Sequence, residues 1–337
     1  MCFREDVETV EKTVLDLLLE AGGGYRSGEE MSGILGISRA AVWKQIQRLR
    51  TRGYGIDAAT NLGYCLTELP DQLDGARILS LLGAHPWADR VHVLETVDST
   101  NSLAKREALL GAPDGSVWIA DEQTGGRGRQ GREFLSPKGK GLYLSVLLRP
   151  RCIPAQVAHS TAMAAVAACD AIESVTGLRP GIKWTNDLIL GEKKCTGILS
   201  ELSAEWESNT LESLVIGIGI NCAQQEFPGE LRDKATSLRM ETGTKPDRDL
   251  LAAALTRNLY VLSRELLTRR EDWLRRYRAD CITIGRQIRV RRGDVERTGV
   301  ATGLDENGGL LVRYDDTGET GPVYSGEVSI RGTHGYI

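Results

Sequence analysis

A segment rich in glycine and arginine, residues 125–141, carries the side chains best suited to binding an anion. Its seventeen residues, GGRGRQGREFLSPKGKG, include six glycines, three arginines and two lysines. A guanidinium group is planar and can bind a carboxylate or a phosphate through two hydrogen bonds. The alternative interpretation is a solvated surface loop, since runs of like charge usually lie in solvent.

Two common nucleotide-binding motifs do not account for this segment. The P-loop pattern GxxxxGK[ST] is missing from it. Residues 126–131, GRGRQG, do match GxGxxG, but arginines occupy the intervening positions and the following residues favour a loop and a strand over a helix. The remaining interpretation is a mobile loop whose backbone amides and guanidinium groups close around an anion.

Polar residues elsewhere fit an anion-binding site. The sequence DSTN, residues 98–101, follows an extended segment and precedes a helix, so its side chains and the helix N-terminus can bind a polar ligand. The alternative is a simple helix cap. Lys183 and Lys194 each begin a strand-like run, which would place two ammonium groups on adjacent strands facing the loop. Taken alone, either lysine is interpreted as a solvated surface charge.

Other classes of site and of location are not indicated. The seven cysteines are scattered and never spaced as CxxC, and the four histidines are isolated, so neither a disulfide framework nor a metal site built from His and Cys is predicted. The net charge of −4 argues against coating nucleic acid along the whole chain. The charged N-terminus predicts no signal peptide, and no run approaches the ~20 apolar residues of a membrane span. We therefore predict a cytoplasmic protein without a membrane partner.

The elements that must position these residues begin with a helix-turn-helix in the first seventy residues. Apolar residues at intervals of three and four predict a helix over 7–18, and a capping box of Ser27 with Glu30 predicts a second helix. Ser38 then caps a third helix, which Gly53 closes. The third helix carries several basic residues and no acidic one, as expected of a recognition helix.

A hairpin follows the third helix. Residues 54–67 predict a strand, a turn at 61–63 and a second strand, which resembles the wing of a winged helix. Val42, Ile46 and Leu49 form the inner stripe of the third helix and leave its basic residues outside. The alternative is a small helical cap with a solvated basic face, but the position of the wing favours DNA binding.

Beyond a linker at 70–75, the pattern predicts α+β layering. An alanine-rich helix over 155–177 should be buried against a sheet. The runs IKWTNDLIL, CTGILSEL and SLVIGIGIN predict neighbouring strands, and helices are expected between residues 249 and 280. From 285 to 332, short alternating strands with an NGG turn predict a small β-barrel of the SH3 or OB type.

Taken together, the motifs resemble those of the biotin protein ligase family, specifically its bifunctional repressor members. The resemblance covers nearly the whole chain and rests on segments in the family's order: DSTN at 98–101, QTGGRGRQGR at 123–132, SPKGKGLYLS at 136–145, KWTNDL at 183–188, KCTGIL at 194–199, GIGIN at 217–221 and SGEVSIR at 325–331. The N-terminal segment RSGEEMSGILGISRAAVWKQI, residues 26–46, resembles the helix-turn-helix that only repressor members carry.

This resemblance implies an α+β fold with three domains. They are an N-terminal winged helix-turn-helix DNA-binding domain over 1–70, a central biotin- and ATP-binding catalytic domain over 75–280, and a C-terminal SH3-like β-barrel over 285–337. The central domain is expected to contain a mixed sheet with helices, like that of class II synthetases.

The implied activity is ligation with regulation. The family activates biotin with MgATP to biotinyl-5′-adenylate and then acylates a lysine of the biotin carboxyl carrier domain. Repressor members bind operator DNA as a homodimer when the adenylate is bound. Two alternatives stay open: a lipoate-type ligase, and a biotin-sensing transcription regulator without catalysis.

The resemblance also implies residue roles. The implied biotin-binding residues are Ser99, Thr100, Asn101, Gln123, Gly126, Arg127, Gly128, Arg129, Lys194 and Gly197. The implied ATP-binding residues are Phe134, Lys183, Asn186, Asp187, Asn221, Glu327 and Arg331. Among these, Asp187 would help to hold Mg²⁺, and catalysis would fall to Arg127, Arg129, Lys183 and Lys194. The implied DNA-binding residues are Ser38, Arg39, Ala40, Ala41, Trp43 and Lys44.

The chemistry agrees with those residue types. Joining a carboxylate to an α-phosphate brings two anions together, so arginine, lysine and Mg²⁺ lower the barrier and no covalent nucleophile is needed. Water would destroy the mixed anhydride, so a glycine-hinged loop must close over it. The chain departs from the family pattern at Thr185, where proline is usual, at Phe134, where tryptophan is typical, and in the wing, which has NLGY where GKGY is commoner.

Overall fold

The fold is described from a computed structural model, for residues 13–205, 209–292, 295–324 and 327–330. The chain divides into two compact units, of which the first ends at Asp71 and the second begins at Gln72. Each unit is described by itself below.

The first unit contains the predicted helices and hairpin. Its elements are α1 (Val14–Glu20), α2 (Gly28–Leu35), α3 (Arg39–Thr51), β1 (Gly55–Ala59) and β2 (Gly63–Glu68). The first half of the helix predicted over 7–18 lies outside the described residues, and the described part begins at Val14. The strands β1 and β2 pair antiparallel, as predicted for the wing.

Serine caps begin the second and third helices, as the sequence predicts. The hydroxyl groups of Ser27 and Ser38 accept hydrogen bonds from backbone N–H groups of the first turn, at 3.0 and 3.2 Å. The capping box at Ser27 is only half formed, because the carboxylate of Glu30 pairs instead with Arg26 at 2.5 Å. The predicted inner stripe of α3 is buried in the core of this unit, which leaves the basic residues of α3 on its surface.

The second unit is built on a seven-stranded sheet with helices on it. Its helices are α4 (Gly75–Leu82), α5 (Thr100–Leu109), α6 (Ser160–Thr176), α7 (Leu238–Thr242), α8 (Arg248–Glu265) and α9 (Arg270–Asp280). Its sheet strands are β3 (Val91–Val97), β4 (Ser116–Gln123), β5 (Gly141–Leu148), β6 (Gly181–Lys183), β7 (Asp187–Leu190), β8 (Lys193–Ala204) and β9 (Leu211–Asn221). Their order is β3-β4-β5-β9-β8-β7-β6. Only β3 and β4 among these pair in parallel, so the sheet is mixed, as predicted.

One strand prediction is wrong. The run IKWTNDLIL forms two strands, β6 and β7, joined by a turn at residues 184–186. The backbone groups of this turn are satisfied outside the sheet, since the Trp184 N–H donates to Thr283 Oγ1 and the Tyr277 hydroxyl donates to the Thr185 carbonyl. In consequence Lys183 and Lys194 are not on adjacent strands, because β7 lies between β6 and β8.

The alanine-rich helix α6 lies in the centre of the main hydrophobic core. Eleven of its residues, from Ser160 to Ile172, are buried, and it packs on the sheet and against α8 and α9. Small side chains let a helix approach a sheet closely. The prediction of a buried helix is therefore confirmed, and this face of the sheet is filled with apolar side chains.

A buried ion pair joins α8, which packs against α6, to the same face of the sheet. Arg248 Nη1 donates to Asp121 Oδ1 at 2.7 Å and to the Gly141 carbonyl at 2.6 Å, and both charged side chains are 3% exposed. Removing one partner of such a pair leaves an uncompensated buried charge. The pair therefore fixes the end of β4 and the beginning of β5 in place.

We expect the substitution Arg248→Met to lower the free energy of unfolding by about 3 kcal/mol at neutral pH, because the Asp121 carboxylate loses its counter-ion. Urea denaturation followed by circular dichroism measures this change. Arg269→Met is the matched control, since its partner Asp272 and Arg269 itself are 39% and 59% exposed and exposed pairs contribute about 0–1 kcal/mol. Equal losses in the two variants would contradict the prediction.

The C-terminal part of the second unit is a small antiparallel sheet. Its strands are β10 (Gln287–Arg292), β11 (Val295–Leu304), β12 (Leu310–Tyr314), β13 (Thr320–Val323) and β14 (Glu327–Ile330), in the order β13-β12-β11-β10-β14. The predicted NGG turn joins β11 to β12, and Asp305 Oδ1 accepts from the backbone N–H groups of Asn307 and Gly309. Trp184 Nε1 donates to the Gly308 carbonyl at 3.0 Å. Across the described ranges, no helix combines the length and apolar character needed to cross a membrane.

Candidate functional site

A cavity lies on the face of the sheet that carries α5, opposite the face covered by α6. Strands β5, β8 and β9 form its floor, the N-terminus of α5 forms one wall, and the glycine-arginine loop forms another. Its lining residues are Ser99, Thr100, Asn101, Gln123, Arg127, Gly128, Arg129, Phe134, Tyr143, Asn186, Lys194, Gly197, Ile198, Leu199, Gly217, Ile218 and Gly219.

Three glycines that share one face of the sheet form the floor. Gly197 is opposite Gly219 in the β8–β9 pairing, and Gly217 lies two residues before Gly219 on β9. A Cβ at Gly217 would lie 1.9 Å from Asn101 Oδ1, and a Cβ at Gly219 would lie 2.6 Å from Phe134 Cε1. The space above these strands therefore requires glycine, although glycine weakens a strand interior.

The polar wall at α5 is held together by hydrogen bonds within the protein. Ser99 caps α5, and Gln123 Oε1 accepts from the Thr100 N–H at 2.8 Å and from its hydroxyl at 3.1 Å. Gln123 Nε2 donates to Ser136 Oγ at 2.9 Å. These bonds fix the rotamers of the wall side chains. Binding of a polar ligand would therefore cost little further side-chain conformational entropy.

The side chain of Asn101 makes three hydrogen bonds within the protein. Its Oδ1 accepts from Ser145 Oγ at 2.6 Å, and its Nδ2 donates to the Leu199 carbonyl at 3.2 Å and to Glu201 Oε2 at 3.0 Å. Burial acts to raise the pKa of Glu201, but the hydrogen bonds from Lys105 and Asn101 outweigh it and the pKa lies below its ordinary value. The carboxamide of Asn101 therefore ties α5 to the sheet floor.

Asp98, the first residue of the DSTN motif, does not line the cavity. Its carboxylate accepts two hydrogen bonds from Arg106, at 2.7 and 3.0 Å. The hydrogen bonds from that guanidinium lower the pKa of Asp98 to about 2. Asp98 thus stays ionised and orients the first turns of α5 rather than facing a ligand.

The glycine-arginine loop folds back on itself over the cavity. The Gly128 N–H donates to the Arg132 carbonyl at 2.7 Å, and Arg127 and Glu133 form an isolated β-bridge. Arg129 is half-buried, and its Nη1 donates to Thr185 Oγ1 at 2.8 Å and Asn186 Oδ1 at 2.9 Å. The loop therefore contacts the sheet through a guanidinium, which a purely solvated loop would not do.

Lys194 provides positive charge on the floor side. Its Nζ lies 2.6 Å from Asp187 Oδ1 and 5.9 Å from the centroid of the Phe134 ring. Phe134 also meets Tyr143 edge-to-face, with centroids 6.5 Å apart. An aromatic ring and a cation thus lie side by side above the glycine floor.

The structure does not bring every predicted site residue to the cavity. Gly126 is a buried residue of the loop itself, and Lys183 is 6% exposed at the end of β6. Asn221 Nδ2 donates to the Thr236 carbonyl at 3.0 Å, and Asp187 faces Lys194 from outside the lining. Arg331 lies outside the described residues, as does the side chain of Glu327, whose backbone belongs to β14.

Sequence reasoning missed six residues of the lining, which are Tyr143, Ile198, Leu199, Gly217, Ile218 and Gly219. The signal was present for the glycines, because the GIGIN segment places glycine at every second position of a strand and so on one face. Burial raises the pKa of the Tyr143 phenol, whose hydroxyl donates to the Pro137 carbonyl at 3.2 Å. Tyr143 is therefore a neutral side wall.

The predicted DNA-binding residues lie at the start of α3 in the first unit. The side chains of Arg39, Trp43 and Lys44 are exposed, and Trp43 is 55% exposed. Ser38 is also exposed while its hydroxyl caps the helix, Ala40 is exposed, and Ala41 is half-buried. An exposed aromatic ring beside two cations at a helix N-terminus is compatible with a major-groove contact.

A metal centre built by side chains is not found in the part of the chain that the structure describes. No group of three or more His, Cys, Asp or Glu residues is close enough to hold an ion there. The carboxylate of Asp187, which the sequence analysis associates with Mg²⁺, pairs with Lys194.

Three family models match the sequence. Residues 93–221 match the biotin/lipoate A/B protein ligase family, residues 10–65 match an HTH domain, and residues 283–331 match the biotin protein ligase C-terminal domain. The matched segments include the cavity, the helix-turn-helix and the small antiparallel sheet.

Curated relatives are similar over almost the whole chain. The bifunctional ligase/repressor BirA of Bacillus subtilis is 34% identical over 325 residues, which is 96% of this chain and 99% of the relative. The protein of the same name from Escherichia coli is 34% identical over 318 residues, 94% of this chain and 96% of the relative. The biotin--[acetyl-CoA-carboxylase] ligase of Mycobacterium tuberculosis is 32% identical over 254 residues, 74% of this chain and 91% of the relative.

A solved structure agrees with these relatives. The biotin protein ligase of Aquifex aeolicus in complex with biotin and ATP has a TM-score of 0.61 and is 30% identical, over 72% of this chain and 99% of that chain.

Proposed function

This chain belongs to the biotin protein ligase family, and we propose that it activates biotin with MgATP and transfers it to a lysine of the biotin carboxyl carrier domain. Biotin and ATP are the ligands named for the Aquifex aeolicus structure. We further propose that the adenylate-bound homodimer represses a biotin operon, which agrees with the HTH match and the names of the relatives. A cytoplasmic location is part of the same proposal, because it supplies both ATP and operator DNA.

The observation that carries the ligase proposal is the combination of three cations and a glycine floor in one cavity, which Arg127, Arg129 and Lys194 line. In the first step a biotin carboxylate oxygen attacks the α-phosphorus of ATP, and the bond to the pyrophosphate oxygen breaks. Both reactants are anions, so guanidinium and ammonium groups that face the reacting atoms lower the barrier. No side chain has to form a covalent intermediate.

In the second step the uncharged amine of the acceptor lysine attacks the acyl carbon of the adenylate. The amide bond forms, AMP leaves with the bonding electrons, and the amine proton passes to solvent. Until the acceptor arrives, the mixed anhydride has to be shielded from water. The glycine-arginine loop, which already lies over the cavity, is the element we assign to that task.

The ligand's two ends find different walls in this proposal. The hydrogen-bonding wall of Ser99, Thr100 and Gln123 suits the ureido head of biotin, with Asn101 holding that wall in place. The proposed nucleotide side includes Phe134 and Asn186 in the lining and Lys183 and Asn221 behind it, while Glu327 and Arg331 are assigned on the resemblance alone. We give Gly126 a conformational role, since a Cβ there would lie 2.5 Å from Ser136 Oγ.

Magnesium enters the proposal only as part of the MgATP substrate. Mg²⁺ usually binds proteins through one or two carboxylates together with substrate phosphates. Asp187, the expected carboxylate, is paired with Lys194 at 2.6 Å, and no step is assigned to a protein-bound Mg²⁺. The charge on the phosphates is met by the cationic side chains named above.

A transfer assay tests the ligase proposal. The full chain is incubated with labelled biotin, MgATP and a biotin carboxyl carrier domain, and label on the acceptor lysine is counted. Absence of transfer and of adenylate, with biotin still bound, would favour a regulator without catalysis. Pyrophosphate release with biotin and lipoate in competition distinguishes the lipoate alternative, and preference for lipoate would overturn the biotin assignment.

Operator binding is expected to depend on one exposed arginine of α3. Arg39→Ala should weaken operator DNA binding and lower the slope of log K against log salt by about 0.9, the value for one phosphate contact. Ligation should be unchanged, because Arg39 belongs to the first unit and the cavity to the second. Fluorescence anisotropy with and without biotin plus ATP measures the binding.

Arg52→Ala is the matched control for this substitution. Arg52 follows the last residue of α3, and its guanidinium lies 5.9 Å from the Tyr54 ring centroid. We expect it to change the salt slope less than Arg39→Ala. A fall in ligation equal to the fall in DNA binding would contradict the proposed division between the two units.

A further inference from the structure

Thr185 provides a hydroxyl group at the point where the glycine-arginine loop meets the sheet. Arg129 Nη1 donates to Thr185 Oγ1 at 2.8 Å and to Asn186 Oδ1 at 2.9 Å, across 56 and 57 residues of sequence. We propose that Thr185 is a positioning residue that, with Asn186, docks Arg129 and so holds the loop closed over the cavity. The effect of this contact on catalysis rests on the proposed function, whereas its geometry does not.

The socket that receives Arg129 is rigid. The fully buried Tyr277 donates its hydroxyl to the Thr185 carbonyl at 3.0 Å. Asn186 is fixed to β8 from both sides, because its Nδ2 donates to the Ile198 carbonyl and its carbonyl accepts from the Ile198 N–H, each at 3.0 Å. The backbone of Thr185 and the carboxamide of Asn186 are therefore both held by residues outside the loop.

The number of hydrogens on the guanidinium supports a role in positioning. Nη1 carries two hydrogens, and the two contacts to Thr185 and Asn186 use both. The Asn186 carboxamide is also fully directed, with its nitrogen bound to β8 and its oxygen to Arg129. Nε and Nη2 form the other edge of the Arg129 guanidinium and are not used in these two bonds. Arg129 also lines the cavity. Docking through one nitrogen thus leaves a planar pair of donors for an anionic ligand.

A side chain without a hydroxyl at position 185 would remove one of the two acceptors. A hydrogen bond to a charged group is stronger than a neutral one, and the loop's other contacts include bonds within the loop itself, such as Gly128 N–H to the Arg132 carbonyl. The equilibrium constant for docking should therefore fall by about tenfold, or about 1.4 kcal/mol, which raises the population of the open state by up to about tenfold. The remaining bond to Asn186 keeps the loss from being complete.

The test compares Thr185→Val, Thr185→Ser and Thr161→Val in the full chain. Valine keeps the volume of threonine and removes the hydroxyl, whereas serine keeps the hydroxyl. Thr161→Val is the matched control, because Thr161 on α6 donates to Ser200 Oγ at 2.9 Å, on the other face of the sheet from the cavity. Thermal denaturation of each variant shows whether the fold is intact.

The first measurement needs neither biotin nor ATP. Trypsin cleaves after arginine, and cleavage of a folded protein reports the population of locally opened states. Under native conditions we expect Thr185→Val to speed cleavage after Arg127, Arg129 and Arg132 by about tenfold, with serine restoring the wild-type rate and Thr161→Val causing no change. Equal cleavage rates in Thr185→Val and wild type would overturn the inference, whatever the protein's activity.

The second measurement connects the loop to the proposed chemistry. Labelled adenylate is formed on the protein, free biotin is removed, and release of adenylate is followed. We expect about tenfold faster release from Thr185→Val, and no further increase when the substitution is added to Arg129→Ala, since the two residues act through one contact. An additive effect in the double variant would overturn the inference. If wild type forms no adenylate while the cleavage difference persists, the docking stands and the proposed function fails.

Discussion

Gly217→Val is expected to reduce biotin affinity by at least about 1000-fold, which corresponds to about 4 kcal/mol. A Cβ at this position would lie 1.9 Å from Asn101 Oδ1. Asn101 cannot move aside without breaking its hydrogen bonds to Ser145, Leu199 and Glu201. Overpacking costs about 1–3 kcal/mol, and each lost buried hydrogen bond adds about 1 kcal/mol. Isothermal titration with biotin measures the loss.

Two further glycine variants make this prediction decisive. Gly303→Val introduces the same side chain in β11, where a Cβ meets nothing within 4 Å, and it should leave biotin affinity unchanged. Gly219→Ala adds one methyl group 2.6 Å from Phe134 Cε1, so it should weaken binding even if Gly217→Val fails to fold. Tight biotin binding by Gly219→Ala would show that the ligand does not use this floor.

Arg129→Ala is expected to release biotinyl-5′-adenylate about 100-fold faster than wild type, by analogy with the loss of a preorganised donor at a developing charge. The variant loses both the donors that face the cavity and the contacts of Arg129 with Thr185 and Asn186. Adenylate that escapes should acylate exposed lysines of unrelated proteins. Labelling of an added bystander protein, with mass spectrometry of its lysines, measures the escape.

Arg132→Ala is the control for the loss of Arg129. It removes the same kind of side chain from the same loop, but Arg132 is not part of the cavity lining. We expect its adenylate release to stay within about threefold of wild type, because the substitution removes no side chain from the cavity lining. Retention of adenylate by Arg129→Ala would contradict the role assigned to the loop.

Local patterns in the sequence were sufficient to predict most elements. Apolar spacing placed α3 and its inner stripe, serine caps placed the starts of α2 and α3, and alanine content placed the buried helix α6. Each of these signals depends on residues within a few positions of one another. The winged helix-turn-helix and a sheet with helices packed on it followed from them, whereas the mixed character of the sheet was expected only from the family resemblance.

Most of the features that escaped prediction depend on residues distant in sequence. Asn101 of α5 packs on Gly217 of β9; the GIGIN pattern indicates a face of glycines, but no local pattern indicates which side chain packs on it. The turn between β6 and β7 is fixed by Tyr277 and Thr283, almost a hundred residues further along the chain. The pairing of Lys194 with Asp187 escaped for a different reason: it joins the neighbouring strands β7 and β8, and the run IKWTNDLIL was predicted as one strand and not as two.

The two faces of the seven-stranded sheet contribute unequally to holding it together. The face under α6 belongs to the main core, whereas the α5 face has a small cluster of Ala104, Trp118, Leu147 and Val215 beside the cavity. Most of the apolar burial that stabilises the sheet therefore lies on the face opposite the cavity. For protein engineering, we expect substitutions in the cavity wall to cost less stability than substitutions under the alanine-rich helix.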